Sequence, residues 1–143
     1  MKKSDRTQDT GNIIEIADLT LPELQVYTSL NEAQLLHYFE PEPGIFIAES
    51  PKVIERALDF GCEPISLLME QKDLDTSGKN IVKQCQNTPV YTAKLEVLEQ
   101  ITGYKLARGM LCAMRRPPLR TPAEVCTGAR RIAILENVVN PTN

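Results

Sequence analysis

Hydrophobic positions in this chain come in short runs separated by amphipathic stretches, and the runs set the elements. Ile45-Phe46-Ile47-Ala48 follows Glu40-Pro41-Glu42-Pro43-Gly44, where prolines and a glycine deny helical donors and favour a turn. The apolar run predicts a short buried strand. Ser50-Pro51 then reads as a helix start, with Ser as N-cap and Pro at the first helical position. Val53, Ile54, Ala57 and Leu58 recur at helical spacing, Lys52, Glu55, Arg56 and Asp59 fall opposite, and Gly61 is a stop. The same grammar repeats downstream. Ile65 to Met69 reads as a strand, Ser77 to Gln86 as a helix carrying Ile81, Val82 and Cys85, and Pro89-Val90-Tyr91 as a very short strand. Thr92 caps a helix with Leu95, Val97, Leu98 and Ile101 that Gly103 closes, and Gly109 to Met114 is a last strand running into Arg115-Arg116. Upstream, Thr20-Leu21-Pro22-Glu23 has the form of a capping box opening a helix with Leu24, Tyr27 and Leu30 on one face. A second short helix is expected across Glu32 to His37, with Leu35, Leu36 and Phe39 as packing residues. Alternating strands and helices of this length predict a compact α/β domain, with a largely parallel sheet covered on both faces.

Two consecutive prolines, in Pro117-Pro118-Leu119-Arg120, favour extended geometry and mark a boundary. Thr121-Pro122-Ala123-Glu124 is a second capping box, starting a short linking helix that ends near Gly128. Arg130-Arg131 then lead into Ile132-Ala133-Ile134-Leu135, an apolar run expected to be a strand, which opens into the polar loop Glu136 to Asn143. A strand with no following helix cannot cover its own faces. The expected organisation is therefore a disordered tail over 1–11, an α/β domain over 12–116, a linker over 117–129, and over 130–143 the start of a second domain that has been cut off.

Composition narrows this picture only a little. The chain has 143 residues, of which 42% are hydrophobic, enough for one domain with a real core. No apolar run approaches the roughly 18 to 20 residues of a membrane span, and the polar start lacks the apolar core of a signal peptide. A cytoplasmic protein with no membrane partner is the expectation. Cys62, Cys85, Cys112 and Cys126 are too widely spaced for a CxxC pair. They read as reduced, structural thiols. His37, the one histidine, has no visible catalytic partner.

Charge changes the picture more. The net charge is -3, yet residues 12–75 hold thirteen acidic against three basic residues, and residues 105–131 hold seven basic against one acidic. That division suggests a basic surface meeting a polyanion; pairing of the arginines with the acidic half accounts for it equally well. There is no GxxxxGK[ST], no GxGxxG after a strand, and no serine, histidine and acid set. Binding, rather than catalysis, is what the first domain offers. Groups at strand ends could converge: Glu49 and Ser50 after one strand, Lys52 and Arg56 on the first turns of its helix, and Arg108-Gly109 before the last strand. Free amides at a helix start beside Lys52 and Arg108 would suit a phosphate, and Gly109 would let backbone approach it closely. A capped helix with solvated charges is the plainer reading of the same residues.

The segment Gly44 to Leu58, followed by Pro89-Val90-Tyr91 and then Arg108 to Ala113, resembles the N-terminal substrate-binding domain of SpoU-type (TrmH family) RNA 2′-O-ribose methyltransferases. Asn137-Val138-Val139-Asn140-Pro141-Thr142-Asn143 resembles the first methylase motif of that family. The resemblance implies an α/β sandwich of the RNA-binding ribosomal-protein type, followed by the first strand of a truncated trefoil-knot methyltransferase domain. It implies an RNA-facing edge, for tRNA or rRNA, that carries Glu49, Lys52 and Arg108, with Arg108 standing where the family usually has Gln; Arg56, Gly109, Arg115 and Arg116, from the strand ends and the basic stretch, complete the expected RNA contacts. Asn143 would be the motif-one residue of the catalytic region. The later arginine and the segments that hold S-adenosylmethionine would lie beyond Asn143. This piece is therefore expected to bind RNA but neither cofactor nor metal, to be inactive alone, and to dimerise only within the intact enzyme. A stand-alone, non-catalytic RNA-binding module is the alternative, and a protein-interaction domain a third reading.

Overall fold

The computed structural model describes residues 12–28, 41–106 and 109–136. Five strands form one sheet: β1 (Ile13–Glu15), β2 (Ile45–Glu49), β3 (Glu63–Glu70), β4 (Val90–Ala93) and β5 (Met110–Arg115), in the order β1-β4-β3-β5-β2. The helices are α1 (Pro51–Asp59), α2 (Lys79–Gln84), α3 (Leu95–Thr102) and α4 (Pro122–Cys126), with 3-10 turns at Pro22–Tyr27 and Gln71–Asp73. The strand–helix grammar of the sequence is realised from β2 to β5.

Side chains alternate across the sheet with the strand period of two. On one face Leu67, Met69, Val90, Met110, Cys112 and Met114 pack with Ile54 of α1 and Ile81 of α2. On the other, Leu68, Tyr91, Leu111 and Ala113 pack with Leu24, Tyr27 and the α3 residues Leu98 and Ile101. The Tyr27 hydroxyl reaches into the sheet where β3 is irregular between Pro64 and Ser66. It lies 2.8 Å from the Ser66 carbonyl and 2.7 Å from Ser66 Oγ, and accepts from the Ala113 amide at 3.2 Å.

Several expectations are corrected. The sheet is mixed: β1, β4 and β3 run parallel, but β5 is antiparallel to both of its neighbours, β3 and β2. A strand buried on both faces has the same apolar pattern in either direction, so direction is not written in it. β1 goes beyond the elements read from sequence. Thr20 forms no capping box; its amide and hydroxyl bind Asp18 Oδ1 at 2.8 and 2.7 Å, and a 3-10 turn follows. Thr92 belongs to β4, and Lys94 occupies the N-cap of α3. Ser50 sits at φ 86 without a side-chain cap bond. The capping box of Thr121 and Glu124 does form, and holds the Glu124 carboxyl below the usual carboxylate range through the Thr121 amide and hydroxyl.

Residues 132–135 are not a strand. Ile132, Ile134 and Leu135 are exposed, with Ile134 at 89%. A strand needs a neighbour for its backbone, and none of the described strands lies alongside. The expected tail 1–11, the helix Glu32 to His37, Arg108 and the loop 137–143 lie outside the described residues.

All four thiols are free, and three of them, Cys62, Cys85 and Cys112, are buried. Burial pushes each of these three up. A disulfide-exchange reagent at neutral pH should therefore titrate one thiol, Cys126, quickly, and the other three only on unfolding. Rapid reaction of more than one thiol in the native protein would contradict this packing.

Candidate nucleic-acid interface

Because β1 to β4 share a direction and β5 opposes them, the carboxyl ends of β2, β3 and β4 lie at the edge where β5 begins. Glu49 pairs with Leu111 and Met69 with Met110, and the Ser50 amide donates to the Met110 carbonyl at 3.1 Å. α1 starts there, so Lys52 stands exposed beside this edge. Glu49, Lys52 and Gly109 are thus brought to one end of the sheet. Arg56 lies one turn further along α1, four positions from Lys52 and on the same helical face.

Arg115 and Arg116 are not at this end. β5 spans six residues, or roughly 17 Å at 3.4 Å per residue, and its final residue pairs with Ile45 and Glu63 at the opposite edge. Arg115 Nη1 lies 3.4 Å from the Glu63 carboxylate, with both side chains largely exposed. Arg116 acts on the fold: its amide donates to the Gly44 carbonyl at 3.0 Å, and its guanidinium reaches the Pro117 and Pro41 carbonyls. Gly44 leaves room for that side chain, since a Cβ there would stand 3.0 Å from the guanidinium carbon. The candidate residues therefore form two groups at opposite ends of one sheet.

The carboxyl edge also gathers groups that the sequence reading passed over. Lys72 Nζ lies 2.6 Å from Glu70 Oε2, and this hydrogen bond to Glu70 raises the Lys72 amine above its ordinary value. The Lys72 side chain is largely exposed, whereas that of Glu70 is only 17% exposed. Asp73 organises the loop after β3. Its carboxylate accepts from Ser77 Oγ at 3.0 Å, and its carbonyl accepts from the Gly78 amide at 2.8 Å. The Gly109 carbonyl accepts from the Glu70 amide at 3.1 Å, tying the start of β5 to the same loop. A Cβ on Gly109 would meet Asp73 Oδ2 at 2.8 Å, and its φ of +63 suits glycine. The phenol of Tyr104 is pushed up by partial burial and, to a lesser extent, by the charge of Glu49. The signal that could have found this loop is the run Gln71 to Gly78 directly after β3, polar but for Leu74 and closed by a glycine.

Among the described residues, no cluster of three or more metal-ligating side chains exists, and no helix is long and apolar enough to cross a membrane. The edge offers amines and amides to anionic oxygens, and carboxylates to hydroxyl or amino donors. Groups of both kinds can meet the phosphates and hydroxyls of a polynucleotide.

The fold is a mixed α/β domain built on a five-stranded sheet, and solved RNA methyltransferases share it. An RNA 2′-O ribose methyltransferase structure superposes on 76% of this chain and 40% of its own length, with a TM-score of 0.56 and 19% identity. The rRNA methyltransferase of Sinorhizobium meliloti gives 0.51, over 75% of this chain and 38% of its own, also at 19% identity, and its AdoMet-bound form gives 0.52. By sequence the chain is related to tRNA/rRNA methyltransferases: proteins so named, and uncharacterized, from Mycobacterium bovis and Mycobacterium tuberculosis are 30% identical to it over 141 residues. The match takes in 94% of this chain and 46% of each relative, so the chain spans about half the length of the curated relatives it matches. No family model matches the chain.

Proposed function

We propose that this chain is the RNA-recognition part of an S-adenosylmethionine-dependent RNA ribose 2′-O-methyltransferase acting on tRNA or rRNA in the cytoplasm. The observation that carries the reading is the reach of the sequence match. With 94% of the chain inside it, the match must run through the sheet and across the linker into the residues around 130. The sheet and the exposed apolar segment are therefore shared with the methyltransferases as one unit. Ile132, Ile134 and Leu135 are exposed, and such a cluster favours a cover from a further domain over a stand-alone binding module.

In this reading the α/β domain is of the RNA-binding ribosomal-protein type, and residues 130–143 open the trefoil-knot domain, with Asn143 in its first motif. Bound in the intact enzyme, S-adenosylmethionine would supply an electrophilic methyl group to a ribose 2′-oxygen, with its C–S bond broken, S-adenosylhomocysteine leaving and the hydroxyl proton passing to a base. The chain's own residues bind and orient: Glu49, Lys52, Arg56 and Gly109 at or beside the carboxyl edge and Arg115 at the other, with Arg108, next to Gly109 in sequence, as a further RNA contact. Cofactor binding, methyl transfer and dimer formation belong to the protein beyond these residues.

Binding of tRNA or rRNA to residues 1–143, followed by fluorescence anisotropy across a salt series, tests the reading. Log affinity should fall linearly with log salt, by about 0.7 to 0.9 per phosphate contact. Binding that does not weaken with salt would remove the support for an RNA partner. Methyl transfer from labelled cofactor by residues 1–143 should be undetectable, and measurable turnover would overturn the division of labour.

A further inference from the structure

The two groups of candidate residues are joined by one element. α1 begins beside Glu49 at the carboxyl edge and ends at Phe60, from which Gly61 and Cys62 lead into Glu63 at the opposite edge, where Arg115 lies. Ile54 faces the core, with Ala57 and Leu58 packed against it. Lys52, Arg56 and Phe60 follow at intervals of four on the outward side, a continuous ridge spanning about 12 Å of helix axis. We propose that this ridge is a track for an unpaired RNA strand, with Lys52 and Arg56 taking phosphates and the Phe60 ring taking a base on its face.

Phe60 is the observation that calls for an occupant. It is 78% exposed, the most exposed aromatic ring among the described residues, and it caps α1 with its amide on the Arg56 carbonyl at 3.0 Å. Val53, 44% exposed, extends the apolar surface on the adjoining side of the ridge. Neither Lys52 nor Arg56 takes part in an ion pair among the described residues, although Glu55 and Asp59 flank the ridge on its other side. Cations in line with an exposed ring are the complement of a single strand, whose phosphates are charged and whose unpaired bases present flat faces. A duplex stacks its bases internally and has none to offer Phe60. The proposal rests on the RNA reading above and adds to it the strand's path, its unpaired state and a stacking residue.

The test uses the whole 143-residue chain and a fluorescein-labelled, unstructured RNA of about twelve nucleotides, with a blunt RNA duplex of the same length and heparin as comparators. Phe60→Ala should weaken single-strand binding by about tenfold and leave heparin affinity unchanged. Lys52→Gln with Arg56→Gln should reduce the slope of log affinity against log salt by about 1.4, or 0.7 for each lost contact. Phe60→Trp should retain binding, and since all three side chains are exposed the melting temperatures should be close to that of the parent. If the parent binds RNA with a normal salt slope but Phe60→Ala binds as tightly, the track is wrong while the RNA reading stands on other residues. If Phe60→Ala loses heparin and RNA equally, or the parent prefers the duplex, stacking is refuted. Failure of the parent to bind any RNA removes both the track and the RNA reading.

Discussion

Replacing Tyr27 with alanine should lower the unfolding free energy by about 3 to 5 kcal/mol, the range for deleting a buried aromatic ring. Tyr27→Phe should lower it by about 1 to 3 kcal/mol, because the Ala113 amide then has no acceptor inside the sheet. The ring is 4% exposed and packs on the α3 side of the sheet. Its hydroxyl serves two strands, contacting Ser66 of β3 and receiving the amide of Ala113 in β5. Urea unfolding measures both variants, and an unchanged midpoint for Tyr27→Phe would mean that the hydroxyl does not serve that amide. Alkaline pH gives a second readout. Burial pushes the Tyr27 phenol up from 10.0 and the Cys112 thiol up from 9.0. Both stay neutral in the fold, while the unfolded chain gives up these protons first. Stability is therefore retained below about pH 8 and falls as pH rises through 9 and 10. Tyr27→Phe removes the phenol's share and should make that fall shallower.

Gly109→Ala is the second large effect. A non-glycine residue at φ +63 costs about 1 to 2 kcal/mol. The added Cβ would also meet Asp73 Oδ2 at 2.8 Å, and that carboxylate is held by Ser77, so moving it sacrifices a hydrogen bond or strains the loop by about 1 to 3 kcal/mol. The two costs separate in a double-mutant cycle. In an Asp73→Ala background only the backbone cost should remain, giving a coupling of about 1 kcal/mol or more, against the few tenths expected of independent sites. Additive losses would show that Gly109 and the loop after β3 do not bear on each other.

Where residue patterns have local causes, the fold was readable. The turn at Pro41 to Gly44, the periodicity of Ile54, Ala57 and Leu58, and the αL glycine that closes α3 at Gly103 all act through neighbours in the chain. β1 was not legible, because three residues are too few to show a period. Nor was the reversal of β5, and that single reversal also decides the site. It brings Gly109 to Glu49 and Lys52 and sends Arg115 and Arg116 to the far end, although Gly109 and Arg115 are only six positions apart. Ile132 to Leu135 has strand composition without strand structure, because pairing depends on a neighbour that composition cannot supply. Asp73 was missed for a related reason: its importance comes from meeting Gly109 across the sheet edge.

The placement of β5 also governs the order of assembly on the ribosome. β1, β4 and β3 can join as soon as residue 93 has emerged, since they pair only with one another on that side. β2, made long before, has β5 as its only sheet neighbour among the described residues, and on that pairing its amides wait until residues 110–115 leave the exit tunnel. A nascent chain arrested just short of β5 should therefore be protease-sensitive at β2 and α1 while β3 and β4 are already protected. Extending it by the length of that one strand should close the sheet in a single step.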